Sequence, residues 1–238
     1  DNIALGYLPL YCNRSVAEQA MLFWTALLRR LPRQMRQFSS FHRDGITGGE
    51  CAGRTLAVFG VGNIGSQVVR IGQGLDMQVI GVDIEQKHQE VQYAAPEIAL
   101  KQADIIVCAM NLNSNNRDYF AYDTLKKAKP GVIFVNVARG ELSPPDDLLR
   151  LLQEGHLGGV GLDVYPEEKT LGPALRGEIP AQGTVLEAVN ALQQRHDVIM
   201  TPHNAFNTEE AVERKSEQSI QQLKSLIYDN RFIWDLPD

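Results

Sequence analysis

The 238-residue sequence has little of what marks several protein classes. Cysteine is scarce: Cys12, Cys51 and Cys108 are odd in number and widely spaced, with no Cys-x-x-Cys pair. That suits neither a disulfide framework nor a structural zinc site, and a reducing, cytoplasmic setting is expected. No apolar run reaches the roughly 18 residues of a membrane span, and no basic-then-apolar leader opens the chain. A membrane is therefore not expected as a partner. Positive charge is also short: 23 Lys and Arg stand against 29 Asp and Glu, for a net charge of -6. With no basic stripe evident, nucleic acid is not expected either. There is no internal repeat, no low-complexity tract and no Gly-x-Ser-x-Gly elbow, the commonest α/β-hydrolase signal. His196 and His203 lack a third ligand at metal spacing, so no metal site is predicted.

What is present is a chain that is 44% hydrophobic, enough to bury a substantial core. Short runs rich in Val and Ile at 56–61, 78–83, 104–110, 131–137, 158–164 and 197–201 read as six buried strands. Stretches of helical character lie between them, at about 63–74, 121–128, 145–154 and 184–195, with a weaker one near 94–102. This alternation predicts an α/β fold, a doubly wound parallel sheet covered on both faces. Ahead of the first strand, Ser15-Val-Ala-Glu18 has capping-box spacing and predicts a helix start. Val16, Ala20, Phe23 and Leu27 share a face of that helix, and Pro32 is expected to end or kink it. A last helix is expected over about 207–229.

The strongest local motif is Gly60-Val-Gly62-Asn63-Ile64-Gly65, directly after the first strand and opening a helix. Glycines allow a tight turn and let a pyrophosphate approach the amides at the positive end of the helix. Asp83 follows 18 residues after Gly65, at the end of the second strand. There a carboxylate can accept from both ribose hydroxyls and repel a 2'-phosphate. Ile84, Glu85 and Gln86 follow it without a basic residue, so NAD is expected as cofactor rather than NADP. Tyr122-Asp-Thr-Leu-Lys126 matches the Tyr-x-x-x-Lys of short-chain dehydrogenases, but that family spaces its glycines differently and places the pair much further downstream. A helix with a basic C-terminal half is the expected reading.

Three later strand ends carry polar residues: Asn136-Val137-Ala138-Arg139-Gly140, Asp163-Val164-Tyr165-Pro166-Glu167-Glu168 and Thr201-Pro202-His203-Asn204. Ligands of open α/β sheets bind at the carboxyl ends of the strands. Arg, Glu and His on one such rim, beside a dinucleotide turn, form a candidate site.

These motifs together resemble the D-isomer-specific 2-hydroxyacid dehydrogenases, and "TPHNAFNTEEA" at 201–211 looks closest to the D-lactate dehydrogenase branch. The resemblance runs from about Ser15 to the final helix. It implies a Rossmann-type NAD-binding domain acting on a small 2-oxo or 2-hydroxy acid. Arg139 would grip the substrate carboxylate and carbonyl, and His203 would be the acid/base. Glu168, five residues after Asp163, would pair with His203. Gly60, Gly62, Asn63, Ile64, Gly65, Asp83, Val137, Ala138 and Asp163 would line the cofactor, Asp163 near its nicotinamide. Reduction of a 2-oxo acid builds negative charge on the carbonyl oxygen, which a fixed guanidinium stabilises and a protonated imidazole quenches.

The resemblance also implies a domain organisation. Residues 1–14 would be a remnant of a substrate domain that is otherwise missing. Residues 15–206 would be the dinucleotide-binding domain, with a hinge helix and a dimerisation arm, and 207–238 a returning hinge helix and tail. Relatives dimerise through the cofactor domain, and the stretch 17–41, with Phe23, Trp24 and Leu27, has the apolar content of an interface, a helix packed in the core being the alternative. A homodimer is expected. The sequence departs from the family at Asn63, Asn111 and Pro144-Pro145, and 34 residues separate Glu168 from His203 in a long insertion. An alternative class is an NAD-regulated binding module, since the C-terminal-binding protein corepressors resemble the same family.

Overall fold

The computed structural model describes residues 5–180 and 183–235. Seven parallel strands form one sheet in the order β3-β2-β1-β4-β5-β6-β7. They are β1 (Thr55–Phe59), β2 (Gln78–Val82), β3 (Gln92–Tyr93), β4 (Ile105–Cys108), β5 (Val132–Asn136), β6 (Leu157–Leu162) and β7 (Val198–Met200). The chain starts at β1, steps outward to β2 and β3, then returns to β4 on the other side of β1. That reversal places the topological switch point at the carboxyl ends of β1 and β4.

Strand alternation builds two cores. Leu56 and Val58 of β1, Ile105 and Val107 of β4, and Ile133 and Val135 of β5 face one side. There they meet α1 (Asn13–Leu28) and α3 (Asn63–Gly74). Ala57, Phe59, Ile106 and Phe134 face the other side, toward α4 (Pro96–Gln102), α5 (Tyr122–Leu125), α6 (Pro145–Gln153) and α8 (Thr184–Gln193). Period-two burial on both faces is why these runs read as continuously apolar.

The six expected strands are all found, with shifted ends, and a seventh, two-residue β3 lies beyond them. Its residues, one exposed and one half-buried at the sheet edge, give no apolar run to find. The insertion after Glu168 holds α7 (Glu168–Leu175) and α8, and residues 181–182 of it lie outside the described residues. α9 (Glu209–Asp229) ends the described helices, and Thr208 caps it by accepting from the Ala211 amide.

Three expectations at the amino end are corrected. There is no capping box: α1 begins at Asn13, two residues ahead of Ser15. The Ser15 hydroxyl instead donates to the Cys12 carbonyl at 2.8 Å, while Glu18 pairs with Arg14. Pro32 does not end α1 but sits in the first turn of α2 (Leu31–Gln37), where its missing N–H costs nothing. Phe23 and Trp24 are fully buried and Leu27 nearly so, hence they are core and not interface. A Cβ on Gly161 of β6 would come within 2.7 Å of Phe23, which shows how tightly α1 lies on the sheet. The exposed apolar residues of that stretch are Leu22, Leu31, Met35, Phe38 and Phe41.

The two outer segments meet. Gly6 bridges Asp235 in antiparallel fashion, and Gln222 of α9 binds main-chain groups of Tyr7, Ile233 and Trp234. Residues 1–4 and 236–238 of the expected outer segments lie outside the described residues.

Candidate active site

At the switch point, Gly60 adopts φ +88, and a Cβ on it would lie 2.6 Å from the Met110 amide nitrogen. Gly65 is still tighter: its Cβ would fall 1.9 Å from the Gly60 carbonyl oxygen. Around Gly62, the N-cap of α3, nothing lies within 4 Å of where a Cβ would be. Its side chain is absent where the turn opens to a ligand. Among the described residues, no main-chain or side-chain acceptor takes the amides of Asn63, Ile64 and Gly65, the free donors of the first helical turn. The Asp83 carboxylate accepts from the Val61 amide at 2.6 Å and from the Glu85 amide at 3.0 Å. It thereby ties the end of β2 to the glycine turn, with further lone pairs left for ribose hydroxyls. Lys87, the nearest cation in sequence, is occupied by Glu85.

At the end of β5, Asn136 is fully buried and organises the loop that presents Arg139. Its amide group donates to the Arg139 carbonyl at 2.9 Å and to the Ser143 hydroxyl at 2.8 Å, and its oxygen accepts from the Ala138 amide at 3.0 Å. Arg139 itself is exposed, while Val137 and Ala138 beside it are buried. Gly140 allows the close approach that follows. A Cβ there would fall 1.8 Å from the Tyr165 carbonyl carbon, so the β5 loop presses against the β6 loop.

At the end of β6, Asp163 is 1% exposed, and its carboxylate is committed to the neighbouring loop. Oδ1 accepts from the Thr201 hydroxyl and from the Asn204 amide at 2.8 Å, and Oδ2 accepts from the Ala205 amide at 2.8 Å. The Tyr165 hydroxyl donates to the Thr201 carbonyl at 2.9 Å. Burial first, then the charges of Asp163 and Glu168, push the Tyr165 phenol well above its usual range, so it stays a neutral donor. These bonds hold His203 in a left-handed conformation, φ 51, that an unsupported chain would avoid.

The result is a hydrogen-bonded pair. His203 Nδ1 lies 2.7 Å from Glu168 Oε2, and Glu168 Oε1 accepts from the Tyr165 amide at 3.0 Å. An acceptor-only carboxylate at Nδ1 assigns the proton there and leaves Nε2 for a substrate. The two side chains are 41% and 36% exposed, open to a ligand from the rim. Two residues that the sequence did not single out, Tyr11 and Cys12, lie within reach of the Arg139 charge, although burial, the larger effect, holds both above their usual values. Asn136 and Tyr165 stand within the quoted motifs, but nothing in their spacing announces a buried tether.

Two absences hold among the described residues: no group of His, Cys, Asp and Glu could hold a metal ion, and no helix is long and apolar enough to cross a membrane. The Tyr122–Lys126 pair is not part of the site. Both side chains bind Glu154 at the end of α6, at 2.9 and 2.7 Å, and Arg150 lies 3.8 Å over the Tyr122 ring. Lys126, then Tyr122, holds the Glu154 carboxyl down to about 2.

A parallel sheet with a glycine turn at its switch point and an acid ending the second strand defines the dinucleotide-binding class of α/β proteins. Residues 20–205 match the profile of the D-isomer specific 2-hydroxyacid dehydrogenase NAD binding domain, and the chain belongs to that family. NAD is accordingly its cofactor, and the free amides, the open glycine and Asp83 fit that group. The D-lactate dehydrogenase of Streptococcus pyogenes serotype M1 is 31% identical over 95% of this chain and 70% of its own length. An aromatic 2-oxoacid reductase of Clostridium sporogenes is 30% identical over 93% of this chain and 68% of its own. Among solved structures, the D-lactate dehydrogenase of Aquifex aeolicus complexed with NAD and lactic acid superposes with a TM-score of 0.89 at 27% identity. It covers 99% of this chain and 74% of that one.

Proposed function

We propose that the chain works in an NAD-dependent oxidoreductase that interconverts a 2-oxo acid and a D-2-hydroxy acid, with Arg139, Glu168 and His203 as its catalytic residues. The observation that carries this reading is the His203–Glu168 pair, with Nε2 left open, on the same rim as Arg139 and the glycine turn. Names of the relatives, D-lactate dehydrogenase and aromatic 2-oxoacid reductase, support a 2-oxo acid with a variable side chain. When bound, NADH supplies the hydride that reaches C2. Arg139 holds the carboxylate and the carbonyl oxygen through its planar fork, and so stabilises charge as it develops on that oxygen. His203 gives its Nε2 proton to the same oxygen, and Glu168 keeps the ring oriented through its hydrogen bond with Nδ1.

The test is turnover of NADH with pyruvate and with phenylpyruvate by protein that carries a substrate domain as well as this chain. His203→Gln is expected to lower it by on the order of 10²–10⁴-fold without changing the dissociation constant for NADH. Glu168→Gln should give a smaller loss. Protein carrying its substrate domain that binds NADH but turns over neither acid would instead favour the NAD-regulated binding module, whereas slow turnover by residues 1–238 alone is expected. The exposed Leu31, Met35, Phe38 and Phe41 support a homodimer, which light scattering at micromolar concentration checks.

A further inference from the structure

Five of the chain's 23 basic residues fall within 29–43: Arg29, Arg30, Arg33, Arg36 and Arg43. Only Asp44 opposes them before Glu50. The net charge of -6 conceals this local concentration. The fold gathers part of it around a cavity of about 220 Å³ lined by Leu27, Arg30, Arg33, Gly158, His196 and Asp197. Gly158 stands at the start of β6, and His196 and Asp197 immediately precede β7. The cavity is thus at the edge of the sheet opposite the rim that carries Arg139 and His203.

The two arginines are arranged around one glycine. Arg30 turns the chain between α1 and α2 at φ 52, a left-handed conformation that glycine takes at lower cost. Its Nη1 donates to the Gly45 carbonyl at 2.8 Å, which fixes the guanidinium and leaves its other donors free. Gly45, at φ +69, packs so closely on Arg33 that a Cβ would come within 2.8 Å of Arg33 Nη2. Among the described residues, neither Arg30 nor Arg33 has a carboxylate partner. Asp197, the carboxylate on the wall, is already held by Arg195 through two bonds of 2.8 and 2.7 Å.

Guanidinium forks with no carboxylate partner of their own, beside an Asp197 already neutralised by Arg195, match the paired oxygens of phosphate or carboxylate. The cavity is large enough for a compact anion. We propose that this cavity is a binding site for a small dianion, a phosphate monoester or a dicarboxylate, distinct from the catalytic rim. Its occupant would brace the starts of β6 and β7, whose far ends lead into Asp163 and Thr201.

The experiment is calorimetric titration of the NADH-saturated protein, so that the free amides of the glycine turn cannot take the anion. Glycerol phosphate, inorganic phosphate, succinate and chloride are compared at matched ionic strength. A saturable isotherm is expected with phosphates or with succinate, and whichever binds tighter identifies the natural class; chloride should give none. Arg30→Gly keeps the left-handed turn while deleting the side chain. Arg30→Gly/Arg33→Gln should therefore weaken binding at least tenfold with NADH affinity unchanged. Arg43→Gln, outside the cavity, should bind as wild type does. Equal affinity in the double variant, or a wild-type response that follows ionic strength alone, overturns the proposal. Should the double variant lose NADH binding, Arg33→Gln alone decides, again with a tenfold loss expected and wild-type affinity refuting the site.

Discussion

On the β1–β2 side of the site, the groups that face a ligand belong to the main chain: amides of the first turn of α3, bared by Gly60, Gly62 and Gly65. On the β5–β7 side they belong to side chains, Arg139 and His203, each held by a buried polar tether. Main-chain presentation depends on what is absent, since any added carbon fills the turn. Side-chain presentation depends on what is spent, namely the buried hydrogen-bonding capacity of Asn136 and Asp163. The two halves should therefore fail differently.

Gly65→Ala is the most damaging change expected on the main-chain side. A methyl group 1.9 Å from the Gly60 oxygen must displace the turn. Overpacking costs of about 1–3 kcal/mol apply at least, and NADH affinity should fall more than tenfold by fluorescence titration. Wild-type affinity would show that the turn can yield. Asp163→Asn keeps the shape but turns one of the oxygens facing Asn204 and Ala205 into a donor. Unfolding stability should drop by about 1–3 kcal/mol and turnover should fall with it, whereas NADH binding should not. Were NADH binding lost and turnover per bound cofactor kept, Asp163 would belong with the cofactor half.

Asp83→Ala bridges the comparison, for this side chain supports a main-chain turn. Losing one charge-assisted bond of about 1.5 kcal/mol should weaken NADH roughly tenfold and NADPH less. An unchanged preference between the two would exclude it as the ribose ligand. The smallest effect is expected at Cys108, whose thiol full burial pushes up to about 12. Because thiolate is the reactive form, raising the pH to 8 still leaves Cys108 almost wholly protonated. Iodoacetamide at that pH should spare it in native protein and label it in urea, as mass spectrometry would show.

The same contrast governs what could be read from the sequence. Glycines and strand-end charges are legible because their identity alone marks them: Gly60, Gly65, Asp83, Arg139 and His203 all lie at the strand ends and turns where the motifs put them. Tethers are not, because Asn136 and Asp163 act through partners up to 42 residues away. Ser15 shows the limit of spacing, since its hydroxyl found a main-chain carbonyl on the preceding turn instead of the capping amide. Phe23 and Trp24 show the limit of composition, for an aromatic stripe reads alike whether it meets another chain or its own sheet.

The contact that Gly140 makes with Tyr165 has a thermodynamic meaning. Because the Arg139 loop and the Tyr165–Glu168 loop touch backbone to backbone, neither can wander without the other. Fixing a loose residue costs about 1–2 kcal/mol of conformational entropy. Here that ordering takes place once, when the chain folds, and it need not be repeated each time a substrate arrives.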